Sequence, residues 1–379
     1  MGAMPDVAIV GGGIIGCAIA YQLAKAGAAV TLVERGAIAR EASWASAGLI
    51  SPPKPGMPGG MARARLEARS FMMYPALLAE LAEATAIDVA QVTGGRLSVA
   101  LSEAEEASLR ATLAWQRDLG FDVEWLDGDA TRGMAPALAT AIRGAVWCAA
   151  ASGLRAAALT IALARAAEAR GATIRERTPV EGFLREGGRI AGIRTSGGAI
   201  RAGSTVIAAG AWTAALGELL DLALPTRPVR GQMLALAAAT LPLRQAIAGA
   251  GGFLIPRADG TIAVAATVDE AGFDTSVTPD GLTWLATLIR TLAPGYASAR
   301  VVETWAGLRP ATADDLPIMG RAPGLDGLWV AAGHMRDGIL WAPIVGELMG
   351  AAILGGVPDP ALAPFDPRRF VLGVGSREP

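Results

Sequence analysis

The stretch Val7-Ala-Ile-Val-Gly-Gly-Gly-Ile-Ile-Gly16 decides the fold of this chain, because it joins an apolar β-forming run to the spacing G-x-G-x-x-G. The run predicts a buried parallel strand. Gly11 allows the tight turn after that strand, and Gly13 lets the backbone approach a pyrophosphate. Gly16 lets the following helix pack closely against the strand. The stretch therefore predicts a dinucleotide-binding unit.

The elements that follow complete the same signature. A helix over 14–26 offers free N–H groups and a positive dipole end to phosphates, so Ile14 and Ile15 at its start are candidate cofactor contacts. The run Val30-Thr-Leu-Val-Glu34 predicts a second strand that ends in a carboxylate. A carboxylate at this place accepts hydrogen bonds from a ribose diol, which makes Glu34 a candidate cofactor residue.

Composition narrows the function further. The 379 residues suffice for about two domains, and a formal net charge of −2 gives no general attraction to nucleic acid or to an anionic membrane. No run of about 18 apolar residues is free of charge, Gly or Pro, so we expect no transmembrane helix. The nucleotide-binding strand starts so early that we expect no cleaved leader. Cys17 and Cys148 are the two cysteines, so we expect no disulfide framework and a cytoplasmic location.

Residue counts also argue against several chemistries. His334 is the single histidine, and no Cys or His cluster has metal-ligand spacing, so we predict no metal site. The two lysines, Lys25 and Lys54, fall on the predicted first helix and in a Pro/Gly-rich loop, which disfavours a buried Schiff-base lysine. No nucleophile elbow accompanies His334. We therefore expect a bound nucleotide cofactor to carry the chemistry.

Beyond residue 40 the pattern alternates between helices and short strands. Helical spacing covers 62–86 and 102–119, both with Glu and Arg expected on the surface, and also 155–170, 280–292 and 339–354. Strand-like runs cover 173–177, 180–186, 189–195, 199–201, 204–209, 227–236, 252–267, 301–310 and 328–332. The runs 227–236 and 252–267 predict an antiparallel sheet.

Four further motifs give the chain a family resemblance. They are Glu41-Ala-Ser-Trp-Ala-Ser-Ala-Gly48-Leu, Pro228-Val-Arg-Gly-Gln232, Trp305-Ala-Gly-Leu-Arg-Pro-Ala-Thr312 with Asp315-Leu-Pro317 and Gly320, and Ala332-Gly-His-Met-Arg-Asp-Gly-Ile-Leu-Trp-Ala-Pro343. With the glycine turn and Glu34, they resemble the D-amino-acid oxidase superfamily of FAD-dependent oxidoreductases, and within it the glycine oxidases of thiamine biosynthesis. The resemblance covers nearly the whole chain. It implies FAD, held non-covalently because no Cys lies near the last motif.

The resemblance also implies the architecture. It predicts an α/β fold with a Rossmann-like FAD-binding domain of the D-amino-acid oxidase or glutathione-reductase type. A second, α+β domain with a mixed, largely antiparallel sheet is expected to bind the substrate over the flavin. We expect the FAD-binding domain to comprise 1–84, 150–220 and 318–379, and the substrate-binding domain to comprise 85–149 and 221–317.

Particular residues are expected along the cofactor. By the resemblance, Ser43 and the turn 47–49 lie along the flavin, and Val180 contacts the adenine side. The helix start at Gly338 faces the pyrimidine end of the flavin, where a positive dipole end stabilises negative charge. His334 is expected to contact the cofactor rather than transfer protons. The full set of expected contacts is Gly11, Gly13, Ile14, Ile15, Gly16, Glu34, Arg35, Ser43, Ala47, Gly48, Leu49, Val180, Gly210, Trp212, Gly307, His334, Arg336, Asp337, Gly338 and Ile339.

Four residues are expected to act on the substrate. Arg309 is predicted to bind the substrate carboxylate with its planar, bidentate fork, and Arg336 is a second candidate. Phe253 replaces a tyrosine that is common in glycine oxidases, and Val268 replaces a methionine. The Pro- and Gly-rich loop 51–60 predicts a distinct lid.

The implied reaction is oxidative deamination of a small amino acid: glycine, sarcosine or a small D-amino acid. Hydride transfer to flavin N5 would give an imine and then an oxo acid, with O2 reduced to H2O2. Three alternatives stay open: a D-amino-acid dehydrogenase that passes electrons to a quinone or another carrier, an FAD-dependent RNA-modifying enzyme, and a flavin-binding protein without turnover. The expected partners are the substrate and an electron acceptor, without nucleic acid. The oligomeric state stays open, a homo-oligomer included.

Overall fold

A computed structural model of the chain describes residue 4, residues 6–237 and residues 242–372. The strands are β1 (Val7–Val10), β2 (Val30–Val33), β3 (Leu49–Ile50), β4 (Arg96–Ala100), β5 (Glu124–Asp127), β6 (Gly144–Cys148), β7 (Ser152–Gly153), β8 (Thr173–Arg175), β9 (Val180–Glu186), β10 (Arg189–Thr195), β11 (Gly198–Arg201), β12 (Ser204–Ile207), β13 (Thr226–Leu236), β14 (Ala246–Gly249), β15 (Gly252–Pro256), β16 (Ile262–Ala265), β17 (Val301–Thr312), β18 (Ile318–Arg321) and β19 (Leu328–Ala332). The helices are α1 (Ile14–Lys25), α2 (Glu41–Ala45), α3 (Gly60–Thr85), α4 (Glu103–Asp118), α5 (Gly128–Met134), α6 (Ala156–Ala169), α7 (Thr213–Glu218), α8 (Pro279–Leu292), α9 (Gly338–Ile353) and α10 (Arg369–Leu372).

A six-stranded sheet is built around the first strand of the chain. Its order is β18-β19-β12-β1-β2-β8, and every neighbouring pair is parallel except β18 with β19. Parallel sheets are covered on both faces, so β1 and β2 are buried throughout. This sheet and the helices after its strands confirm the predicted Rossmann-like α/β class.

The two faces of this sheet are covered differently. Ile9 points to the helical side, where it joins α1 and α9 in one core. Its neighbours Ala8 and Val10 point the other way, toward Ile193 and Ile200 of the three-stranded sheet β11-β10-β9. The alternation follows from the period of two in a strand. One face of the sheet therefore packs on helices and the other on a small antiparallel sheet.

A second, eight-stranded sheet has the order β17-β13-β16-β15-β14-β4-β6-β5. Its neighbouring strands are antiparallel except β14 with β4. Leu234 and Val264 pack on α8 through Leu285 and Leu288. The opposite face carries mainly Ala, Met and Ile side chains together with Trp305, and this face looks toward the six-stranded sheet. Strands of this sheet come from 96–148 and 226–312.

The predicted domain spans stay a prediction, and parts of them lie outside the described residues. These parts are 1–3, residue 5, 238–241 and 373–379. In the part of the chain that the structure describes, no helix is both long and apolar enough to cross a membrane. Among the same residues, no group of three or more His, Cys, Asp or Glu side chains is arranged to hold a metal ion.

The crossing of α9 over α1 gives a prediction about stability. A Cβ added to Gly346 would lie 2.8 Å from the Ala18 carbonyl oxygen, whereas one added to Gly350 would meet only the Gln22 side chain at 3.4 Å. Both glycines are buried in the same helix. We expect Gly346→Ala to lower the free energy of unfolding by about 1–3 kcal/mol, because the helices must move apart.

The matched control is Gly350→Ala, which we expect to be neutral or to stabilise the helix by up to about 1 kcal/mol. Thermal unfolding followed by circular dichroism compares the two variants with the parent. Equal melting temperatures for both variants would contradict a tight crossing at Gly346.

Candidate active site

A cavity of about 580 Å³ lies between the two large sheets. On one side it is lined by the carboxyl ends of β1, β2, β12 and β19 and the turns that follow them. On the other side it is lined by Met233, Phe253, Ile255 and Ala265 of the eight-stranded sheet. Ligands of open α/β sheets bind at the carboxyl ends of the strands, so this cavity is the candidate active site.

The glycine turn at the start of α1 is packed backbone against backbone. Gly11 has a φ of +118°, and a Cβ there would lie 2.4 Å from the Ala208 carbonyl oxygen. A Cβ on Gly16 would lie 2.0 Å from the Gly11 carbonyl oxygen, which confirms the predicted close packing of helix on strand. The turn therefore presents bare backbone and the amino terminus of α1 to the cavity, as a pyrophosphate requires.

Glu34 ends β2 at the edge of the cavity with its carboxylate fixed in place. One carboxylate oxygen accepts a hydrogen bond from the Gly12 N–H at 2.7 Å, and the other accepts one from the Gly36 N–H at 2.8 Å. Ser43 has a similar bond to the start of α1, because its hydroxyl accepts from the Ile14 N–H at 2.9 Å. These hydrogen bonds fix the Glu34 carboxylate and the Ser43 hydroxyl beside the glycine turn.

The predicted cofactor residues converge on this cavity. Gly16 does not line it, because it is covered by the turn at Gly11. The others line it: Gly11, Gly13, Ile14, Ile15, Glu34, Arg35, Ser43, Ala47, Gly48, Leu49, Val180, Gly210, Trp212, Gly307, His334, Arg336, Asp337, Gly338 and Ile339. Their individual contacts with FAD stay a prediction.

The predicted substrate residues divide into two groups. Arg309, Arg336 and Phe253 line the cavity. Val268 lies outside the lining, and 51% of its surface is exposed. Its neighbour Thr267 is buried, so the strand-end alternation turns Val268 outward.

Arg309 is held over a glycine in the wall of the cavity. A Cβ on Gly231 would come within 2.2–2.7 Å of the guanidinium atoms, so any larger residue there would displace the guanidinium from this position. The guanidinium donates to the Thr267 carbonyl oxygen at 2.9 Å. Burial, followed by the charge of Arg336, lowers the pKa of Arg309 to about 10, and Asp269 opposes the shift. Arg309 thus stays charged at neutral pH, and among the described residues it has no ion-pair partner.

A polar network supports the carbonyl that holds Arg309. The Thr267 hydroxyl donates to the Asp269 carboxylate at 2.9 Å and accepts from the Gln232 N–H at 3.0 Å. Asp269 also accepts from the Gln232 amide at 2.7 Å and pairs with Arg230 at 3.2 Å. The motif 228–232 therefore positions the arginine of the motif 305–312.

His334 faces the cavity as a neutral ring. It is buried, and among the described residues its Nε2 has no hydrogen-bond partner. Burial and the charge of Arg63 lower its pKa to about 3. The imidazole is therefore uncharged at neutral pH and does not act there as an imidazolium acid. The unpaired Nε2 of His334 and the bare backbone of the glycine turn belong to the same cavity. A bound dinucleotide cofactor would supply hydrogen-bond partners to both, so these residues fit such a cofactor.

Sequence reasoning missed a buried charge cluster beneath the start of α9. Arg63 pairs with Glu67 at 2.7 Å and with Asp337 at 2.5 Å, and the Trp341 indole N–H donates to Glu67 at 3.0 Å. The expectation of surface Arg and Glu on this helix is wrong for Arg63 and Glu67, because Asp337 meets them from a distant part of the chain. The i,i+4 spacing of Arg63 and Glu67 was the sequence signal that could have indicated this ion pair. The cluster fixes Asp337 at the amino end of α9.

Comparison with known proteins agrees with this geometry. The sequence profile of the family DAO, described as FAD dependent oxidoreductase, matches residues 6–352. The chain is 35% identical to a glycine oxidase from Pseudomonas aeruginosa over 362 residues, which are 95% of this chain and 98% of that protein. The matched stretches contain the glycine turn, both large sheets and the cavity.

Two solved structures extend the comparison. A glycine oxidase from Geobacillus kaustophilus superposes with a TM-score of 0.88 at 34% identity, covering 96% of this chain and 98% of the other. An iminodiacetate oxidase from Chelativorans sp. BNC1 gives a TM-score of 0.88 at 26% identity, covering 95% and 98%. The whole arrangement of the two sheets is thus shared with these structures.

The fixed carboxylate of Glu34 gives a prediction about cofactor affinity. In Glu34→Gln, one side-chain oxygen becomes an NH2 group that faces a backbone N–H, so one of the two fixing bonds is lost. We expect the Kd for FAD to rise about 10-fold or more. Titration of the apoprotein with FAD, followed by flavin fluorescence, measures the change.

Glu103→Gln is the control, because Glu103 is exposed on α4 away from the cavity. Its Kd should match that of the parent protein. An unchanged Kd in Glu34→Gln would show that Glu34 does not take part in holding the nucleotide.

Proposed function

Because the chain belongs to the FAD-dependent oxidoreductase family, we propose that it oxidises a small amino acid at the carbon beside the carboxylate. The observation that carries this proposal is Arg309, a desolvated cation in the cavity wall with carbonyl partners only. A guanidinium binds a carboxylate through two parallel hydrogen bonds. Such a cation in a cavity calls for an anionic ligand, and the α-carboxylate of an amino acid fits it.

The cofactor and the chain have separate tasks in this proposal. FAD, when bound, supplies the acceptor for the hydride that leaves the α-carbon. Arg309 holds the substrate carboxylate and so fixes which carbon faces the cofactor. Gly11, Gly13 and Glu34 are the residues we propose for the nucleotide part of FAD. The start of α9 would favour negative charge on the cofactor, because it brings a positive helix end into the cavity.

The wall of the cavity favours this reaction in a second way. Met233, Ile255 and Ala265 give the eight-stranded sheet an apolar surface opposite the glycine turn. An apolar wall excludes water, which strengthens the ion pair at Arg309. His334 is a weak base because its pKa is lowered to about 3, and the chain needs no proton acceptor if the substrate amine enters uncharged. The chain would then contribute orientation and electrostatics.

The identity of the substrate and the acceptor is the finer part of the proposal. Similar proteins named glycine oxidase support glycine, sarcosine or a small D-amino acid as substrate and O2 as acceptor, with an oxo acid and H2O2 as products. The similar iminodiacetate oxidase adds an amine with two carboxymethyl groups to the candidates. A dehydrogenase that passes electrons to a carrier is the alternative that an oxygen assay separates.

Arg309→Met tests the proposal with the FAD-loaded protein. We expect an amino acid to bleach the flavin absorbance of the parent protein under anaerobic conditions. In Arg309→Met, we expect kcat/KM for that amino acid to fall at least about 100-fold, because a bidentate charged contact of roughly 3 kcal/mol is lost. Stopped-flow absorbance with glycine, sarcosine, D-alanine and iminodiacetate gives both results.

Arg227→Met is the matched control, because Arg227 pairs with Glu270 on the exposed side of the same sheet and should keep the parent rate. Readmitting air and assaying peroxide then distinguishes an oxidase from a dehydrogenase. A flavin that no amino acid bleaches, or equal losses in Arg309→Met and Arg227→Met, would contradict the proposed function.

A further inference from the structure

We infer that the substrate carries a second anionic group besides its α-carboxylate, and that Lys54 and Arg336 bind it. The inference rests on the proposed function, since it assigns the second anion to the substrate of the same cavity. Lys54 belongs to the loop 51–59 between β3 and α3, and Arg336 to the turn before α9. Lys54 and Arg336 both line the cavity.

Arg309 and Lys54 lie over different strands of the eight-stranded sheet. The Arg309 guanidinium lies over Gly231 in β13, whereas the Lys54 ammonium lies 5.1 Å from the ring centroid of Phe253 in β15. Strand β16 separates β13 from β15, so the sheet positions beneath the two cations are about 10 Å apart. We therefore assign Arg309 and Lys54 to separate anionic groups.

Arg336 is close enough to both of these cations to affect the pKa of each. Its charge lowers the pKa of Arg309 and also that of Lys54, whereas neither of these two residues is among the causes of the other's shift. Arg336 is exposed, and among the described residues it has no ion-pair partner. It is thus placed to assist Lys54 with the second group while Arg309 holds the first.

The carboxylates in the cavity wall offset this positive region only in part, because each has another partner. Glu34 is bound by two backbone N–H groups, Glu41 pairs with Arg35, and Glu67 and Asp337 pair with Arg63. Among the described residues Lys54 has no ion pair. The sheet side of the cavity therefore has an excess of positive charge that a ligand must balance.

A buried arginine at the start of β4 adds to this excess. Only 2% of Arg96 is exposed, and its Nε and one terminal nitrogen have no hydrogen-bond partner among the described residues. Desolvation, followed by the charges of Arg96 and Arg336, lowers the pKa of Lys54 to about 8, while Asp337 raises it. Lys54 is still mostly protonated at pH 7, and a bound anion stabilises its charged form further.

The position of Lys54 argues against a role at the cofactor phosphates. The phosphate-binding turn follows β1 in the six-stranded sheet, whereas Lys54 contacts Phe253 in the opposite wall. Phe253 has no hydroxyl, so it leaves a nearby anion without a hydrogen bond. Lys54 and Arg336 are the donors that we assign to it. The second anion therefore belongs to the substrate side of the cavity.

Pairs of substrates that differ by one carboxylate test this inference. Iminodiacetate is sarcosine with a carboxylate on its methyl group, and D-aspartate stands in the same relation to D-alanine. In the FAD-loaded parent protein, we expect kcat/KM for at least one diacid to exceed that of its partner at least 10-fold. Lys54→Met should lower that ratio at least 10-fold, mainly through KM, and Lys54→Arg should restore most of it.

Lys25→Met is the matched control, because Lys25 pairs with Glu80 on the surface and should leave the ratio unchanged. The Kd for FAD is measured for each variant. A preference for both monocarboxylates in the parent protein would overturn the inference. So would a Lys54→Met variant that keeps the ratio, lowers both members of a pair equally or mainly weakens FAD binding.

Failure of the inference differs from failure of the proposed function. If glycine, sarcosine or D-alanine bleaches the flavin and both diacids are poorer substrates, only the second anion is wrong. If none of these compounds bleaches it, the proposed function fails and the inference fails with it.

Discussion

The close approach of Gly11 to Ala208 is the constraint on which the rest of the structure depends. It brings the turn after β1 against the turn after β12, so that neither side chain nor water separates the two backbones. Gly48 is packed against backbone in the same way, because a Cβ there would lie 1.8 Å from the Leu154 carbonyl oxygen. One wall of the cavity is therefore backbone, which offers N–H groups to a cofactor without the entropy of flexible side chains.

The charges around the cavity follow two different principles. Arg63 is buried with Glu67 and Asp337, and this satisfied cluster serves to fix the start of α9. Arg309 is also partly desolvated, but its hydrogen-bond partners are two backbone carbonyl oxygens and no carboxylate. A buried charge without a counter-ion costs free energy, which an anionic ligand recovers on binding. Arg63 thus stabilises the fold, whereas Arg309 is available to bind an anionic ligand.

The local part of the fold could be predicted because its signals are local. The first strand, the helix after it and the second strand have the predicted bounds to within one residue, and 180–186 and 189–195 are confirmed as strands. Strands β4, β5 and β6 were not predicted. Their runs are short, those of β4 and β5 contain polar residues, and the strand form of all three depends on partners as distant as β14.

The residues of the candidate site that belong to sequence motifs could be predicted from the sequence. The residues outside these motifs could not. The glycine turn, Glu34 and Arg309 belong to motifs, and all reach the cavity. Arg63 has the appearance of a surface residue, since its partner Asp337 is 274 residues away. Lys54 was recognised as a loop residue, but its position over Phe253 depends on how the loop folds back on the second sheet. Such long-range contacts leave no periodic pattern in the sequence.

A crystal structure of the FAD-loaded protein with glycolate, which is glycine with a hydroxyl in place of the amine, tests the central claim most directly. The account predicts FAD with its pyrophosphate at the turn Gly11–Gly16 and the glycolate carboxylate bound by both terminal nitrogens of Arg309. A glycolate bound elsewhere, with Arg309 still bonded only to the Thr267 and Arg230 carbonyl oxygens, would contradict it.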